Sequence, residues 1–164
     1  MSTVSTVDAG PRRVSRRVTV AAPVASVFAL AADPGRHAEL DGSGTVGEPI
    51  KVSGPMREGA RFAVHMHQYG LPYRITSTVT RFEADRVVEW QHPGGHRWRW
   101  EFAEAGPGQT QVTETFDYST SKAAKVLELI KVPARNAAGI EATLAKLAAR
   151  FTAPGPAPER TPEA

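Results

Sequence analysis

The 164-residue chain is 41% hydrophobic and 23% charged, the balance of a soluble globular protein with one domain and one sizeable core. A net charge of +3 does not demand a nucleic-acid partner, and the absence of cysteine excludes disulfides, thiolate zinc sites and thiol nucleophiles. No basic flank leads into a long apolar run, and no stretch approaches the roughly 18 apolar residues of a membrane span, so the expectation is a cytoplasmic protein without stable membrane insertion.

Residues 1–11 are small and polar and read as a disordered arm, residues 12–151 as a single domain, and residues 152–164, with four prolines, as a flexible tail. The cluster Arg12, Arg13, Arg16 and Arg17 reads as a solvated arm and edge strand. Val14 to Val20 alternates as a first strand, with Val14, Arg16, Val18 and Val20 on one face. Pro23 turns the chain into a short helix, Val24 to Ala31, and Asp33 is placed to cap a second short helical turn from Pro34 to Leu40.

Strands then follow in series. Thr45 to Val52 carries Gly47 and Pro49 and suits a sheet edge. Arg61 to Gln68 puts Phe62, Val64 and Met66 on one face and His65 and His67 on the other. Tyr73 to Phe82 aligns Tyr73, Ile75, Ser77 and Val79, and Arg86 to His92 aligns Val88, Trp90 and His92. After the Pro93-Gly94-Gly95 turn, His96, Trp98, Trp100 and Phe102 share a face. Thr110 to Tyr118 places Val112, Glu114, Phe116 and Tyr118 together. Ser121 to Lys131 is a helix with apolar Val126, Leu129 and Ile130, and Pro133 to Phe151 is a long helix whose apolar stripe is Ala137, Ile140, Leu144, Leu147 and Phe151. Short links between strands predict antiparallel pairing. The fold class is α+β: a helix-grip fold, with a curved antiparallel sheet of six to seven strands around a long C-terminal helix and two short helices between strands 1 and 2.

This element order, the Val24–Ala31 helix, the Trp90 strand, the Trp98–Trp100 strand and the terminal helix resemble the START-like (SRPBCC) superfamily over about residues 14–151. The segments RHAELDGSGTV (Arg36 to Val46) and RFEADRVVEWQ (Arg81 to Gln91) are similar to bacterial members labelled polyketide cyclase/dehydrase or lipid-transport-like. The resemblance implies a deep, largely apolar cavity between sheet and helix, and supplies no catalytic motif for individual residues.

Strand parity aims Glu114 into the concave face, where desolvation would raise its pKa and suit it to general acid or base work; a salt bridge at the sheet margin is the alternative. His92 and His96 flank a turn with inward parity. They read either as a cavity-mouth partner of Glu114 or, by default, as solvent-exposed turn residues. His65 and His67 face outward without further ligands, so no metal site is expected, and no cofactor. Arg36, His37, Glu39 and Asp41 border the expected entrance, with local capping and ion pairing as the default role. The Gly42-Ser43-Gly44 run lacks the lysine of a phosphate loop.

The candidate ligand-binding set is Phe62, Val64, Met66, Ile75, Val79, Trp90, Trp98, Trp100, Phe116, Asn136, Ile140 and Thr143, with Glu114 and His96 as catalytic candidates. Asn136 reads equally well as a local cap. Val126, Leu129 and Ile130 are expected in a lid. The function expected is binding of a small hydrophobic molecule such as a lipid, polyketide or aromatic metabolite, with a homodimer left open. The alternative is a cyclase/dehydrase-type enzyme using Glu114.

Overall fold

A computed structural model describes residues 2–52, 54–68 and 70–152. The tail beyond Thr152 lies outside the described residues, as does Tyr69. The elements are β1 (Ser5–Val7), β2 (Arg13–Val20), α1 (Val24–Ala31), a 3-10 turn (Pro34–Arg36), α2 (His37–Leu40), β3 (Val46–Val52), β4 (Arg61–Gln68), β5 (Leu71–Glu83), β6 (Val87–Gln91), β7 (Arg97–Gly106), β8 (Gln109–Asp117), α3 (Ala124–Leu129) and α4 (Val132–Thr152). They build one antiparallel sheet of eight strands in the order β1-β2-β8-β7-β6-β5-β4-β3, with α4 across its concave face.

The eighth strand is a correction. Ser5–Val7, expected within a disordered arm, pairs with Ser15–Arg17. The reversal is made locally: Gly10 at φ +91° and Arg12 at φ +57° turn the chain, and Gly10 N–H donates to Asp8 Oδ1 at 3.0 Å. β3 occupies the other edge, and its pairing with β4 is irregular around Pro49, which has no N–H to give.

The two faces differ as the alternation requires. On the concave side Val18, Val112, Phe102, Val88 and Val79 are buried against Val27, Phe28 and Leu30 of α1 and against Ile140, Leu144 and Leu147 of α4. The convex side carries ion pairs, such as Arg99 with Glu89 at 2.6 Å and Arg13 with Asp117 at 2.9 Å. α4 spans about 31 Å at 1.5 Å per residue. It packs chiefly on β2 and β8, and Arg16 reaches from β2 to Glu141 on α4 at 2.7 Å. That leaves β4, β5 and β6 curving away from the helix.

Candidate functional site

The space between α4 and the far half of the sheet is a cavity of about 540 Å³. Its wall is aromatic on the sheet side, where Phe62 meets Trp90 edge-on at 5.7 Å and Trp98 leans on Phe116 at 4.9 Å. On the helix side it meets Asn136, Ala138, Gly139, Ile140 and Thr143, and between the two it meets Leu40 to Val46. The loop 41–45 is strapped to the helix. Gly42 N–H donates to Thr143 Oγ1 at 2.9 Å, Lys146 Nζ donates to the Asp41 carbonyl at 2.7 Å, and a Cβ at Gly42 would fall on Ala142 and the Thr143 backbone. Only glycine lets the loop approach this closely.

Glu114 sits in the wall opposite Trp100 on β7, buried, and its Oε2 has no hydrogen-bond partner among the described residues. Burial holds this carboxyl well above the usual carboxylate range, and the nearby Asp41 carboxylate adds to the effect. Burial therefore favours the neutral acid. Asp41 is itself committed: it accepts from Ser43 N–H and Oγ, and from Val46 N–H at 3.1 Å.

Three histidines join the wall. His92 and His96 lie 2.8 Å apart between Nδ1 and Nε2, one ring nitrogen donating to the other, and His96 stands edge-on to Phe116 at 5.4 Å. Loss of solvent contact lowers both, His92 to about 3 with His96 as a secondary cause. They are not solvent-exposed turn residues, because the segment after β8 closes over their hairpin: Thr120 Oγ1 donates to the Gly95 carbonyl at 2.8 Å and Ser121 Oγ to that of Gly94 at 3.1 Å. His37 stacks on Trp90 at 5.0 Å, its Nε2 lies 3.1 Å from the Ala31 carbonyl, and desolvation lowers it to about 4. All three rings are thus neutral hydrogen-bonding groups at pH 7.

The sheet-and-helix plan has counterparts among known proteins. The sequence matches the family model for polyketide cyclase / dehydrase and lipid transport over residues 11–152. The chain belongs to this family. It is 56% identical over 155 residues to the uncharacterized protein Rv0088 of Mycobacterium tuberculosis, spanning 92% of this chain and 69% of that one. Its fold is similar to that of protein Ms6760 from Mycobacterium smegmatis, at TM-score 0.64 and 19% identity over 92% of this chain and 99% of the other. It is also similar to a protein from Arthrobacter aurescens, at TM-score 0.68 and 17% identity over 94% and 95% of the two chains. The helix-grip, START-like architecture is therefore shared at low sequence identity.

Within this family architecture, eleven of the twelve sequence-chosen lining residues surround the one cavity: Phe62, Val64, Met66, Ile75, Trp90, Trp98, Trp100, Phe116, Asn136, Ile140 and Thr143. Val79 does not. It is buried beyond the cavity, where its N–H donates to the Ala60 carbonyl at 2.8 Å and it pairs with Trp90. Glu114 and His96 both reach the cavity but are not a pair. The register pairs Trp100 with Glu114 and Arg97 with Asp117, so His96 precedes the paired residues and its backbone is four residues from Trp100, about 13 Å along the strand. The entrance cluster divides. Arg36 and Glu39 form a surface ion pair at 3.1 Å, joined by Arg150, while His37 and Asp41 line the cavity. On the lid side Leu127 and Ile130 face the cavity, whereas Val126 and Leu129 stand exposed. Leu127, next to Val126, falls outside the stripe Val126, Leu129 and Ile130. His65 and His67 stay on the outer face, and no metal-ligand cluster occurs among the described residues.

Proposed function

We propose that the protein binds a small hydrophobic molecule, such as a lipid, polyketide or aromatic metabolite, between its sheet and α4, and carries or sequesters it in the cytoplasm. The observation that supports this most is the 540 Å³ cavity itself, walled by three tryptophans and two phenylalanines. That volume falls in the range of sites for drug-sized ligands. Flat apolar molecules gain stacking on such a wall beyond their area burial. Of the polar groups in the wall, Asn136 is uncharged and burial favours the neutral forms of Glu114 and of the His92–His96 pair, so these would orient a ligand's oxygens, while Asp41 and Arg135 are the charged groups that also line the cavity. The test is native mass spectrometry of the purified protein against the same sample denatured. A retained mass lost on denaturation is the expected result; a clean apo mass that persists after incubation with candidate lipids and aromatics would defeat the reading.

A second reading, a cyclase/dehydrase-type enzyme, has one observation in its favour: a buried acid shares a cavity with a neutral histidine pair. The roughly 13 Å along the strand between them ranks it second, because acid and base could act together only on a ligand that spans both. Glu114→Gln decides: unchanged turnover on an identified substrate removes the acid's role.

A further inference from the structure

Among the described residues, the large hydrophobic side chains that stand exposed are Val126, Leu129, Ile130, Leu71 and Tyr73. Scattered surface apolar residues are ordinary, but these five fall on only two elements, and a concentrated apolar patch with a polar rim marks an interaction site. Both elements border one opening. Tyr73 and Ile130 line the cavity, and Leu71 and Leu129 continue outward from them, 70% and 81% exposed. β5 starts at Leu71 but meets β6 only from Thr78, so the β4–β5 hairpin overhangs the end of the sheet at which β8 stops and α3 begins. The cavity opens between these two protrusions.

The rim is basic. Residues 122–135 carry Lys122, Lys125, Lys131 and Arg135 against one acid, Glu128, which Arg12 engages at 3.0 Å. Arg74 adjoins Tyr73 on the hairpin. Lysine is depleted at protein–protein interfaces, and two separated apolar tips offer no continuous core for a protein partner. Aliphatic tips inside a ring of lysines instead match the headgroup–acyl boundary of an anionic membrane. α3 is also lightly held. Of its residues only Ala124 is fully buried, and Lys131 at φ +59° joins it to α4 in the left-handed conformation.

We propose that this rim docks on an anionic lipid bilayer, with Leu129, Ile130 and Leu71 entering the boundary and Lys122, Lys125 and Lys131 resting on lipid phosphates. The orientation turns the cavity mouth towards the apolar phase, so a hydrophobic ligand would pass without crossing water. The docking itself does not depend on what the cavity holds.

The experiment is co-sedimentation of the full chain with vesicles of phosphatidylcholine alone and with about one-third phosphatidylglycerol, where each basic side chain near the surface is worth about five-fold in partition. Binding at least about ten-fold tighter to the anionic vesicles is expected, weakening as salt rises from about 0.1 to about 0.5 M. Leu129→Glu and Leu71→Glu, both on exposed side chains, should each weaken it while leaving the melting temperature unchanged. Equal partition onto both vesicle types, no binding, or binding untouched by both substitutions would overturn the proposal. So would a dimer in sedimentation velocity that Leu129→Glu dissociates in a protein that ignores vesicles. A protein that docks yet retains no ligand in native mass spectrometry would refute the cavity reading and leave the docking standing.

Discussion

Replacing Glu114 by glutamine tests the electrostatics of the cavity through stability alone, without knowledge of the ligand. The substitution keeps the shape and a polar head but removes the ionisable proton. The folded-state pKa of Glu114 is raised well above 4.5, its ordinary value, by burial and by Asp41. Above pH 4.5 the unfolded chain has released this proton while the folded chain still holds it. The native state then binds more protons than the unfolded state, and stability falls as pH rises, by about 1.4 kcal/mol per unit until the folded pKa is passed. Each unit of pH within that window corresponds to about 3–6 °C in Tm for a domain of this size. Glutamine abolishes the slope. The variant is therefore expected to match the wild type near pH 4.5 and to become progressively more stable than it as pH rises. The histidines titrate in both proteins and cancel in the difference. Urea unfolding followed by circular dichroism at four pH values measures it. A stability gap that stays constant with pH would mean that the carboxyl is solvated, and would refute its placement in a desolvated wall.

The remaining predictions use other parts of the site. The imidazole resonances of His37 and His92 should show protonation midpoints of about 4 and about 3. Their folded pKa values lie below 6.5, so between 6.5 and those midpoints the unfolded chain takes up protons that the folded chain does not. Each then costs stability as pH falls, by about 1.4 kcal/mol per unit; a midpoint above 6 for either ring would contradict its burial. Gly42→Ala should destabilise by about 1–3 kcal/mol, since its Cβ would meet Ala142 and the helix backbone. Hydrogen exchange across residues 41–46 should rise with it, and an unaffected loop would refute the strap. All three tryptophans line the cavity, so an apolar dye entering it should shift their emission, and Ile75→Trp should weaken that uptake without unfolding the protein.

What the sequence revealed depended on whether a feature is local. The 3.6 and 2.0 periodicities placed α1 and β4 at their observed ends and α4 within one residue at either end, because the apolar pattern there agrees with the backbone period. Strand parity likewise aimed Glu114, Trp98 and Phe116 inward, since side chains on a strand have only two directions. The failures share a different cause. His92 and His96 are covered by Thr120 and Ser121, a contact set by where the chain goes after β8 and not by the hairpin itself. β1 is short and polar, and its pairing with an arginine-rich strand has no apolar signature. Val79 obeys the inward parity yet lies where the sheet is already filled, and parity carries no information about depth.

The cavity persists for a reason visible in α4. Its bulky side chains, Ile140, Leu144 and Leu147, are buried in the core, and the helix packs on β2 and β8. Beside Ile140 and Val132, four of the positions that line the cavity are small or uncharged polar residues: Asn136, Ala138, Gly139 and Thr143. Larger apolar residues at Asn136 or Ala138 could fill part of the gap and gain burial of about 1.5–3 kcal/mol each. The chain forgoes that stabilisation along one flank of one helix and buries in the facing wall a carboxyl oxygen with no partner among the described residues. Neither choice helps the fold alone. Both are explained if another molecule completes the core, supplying apolar surface to the aromatic wall and an acceptor to Glu114.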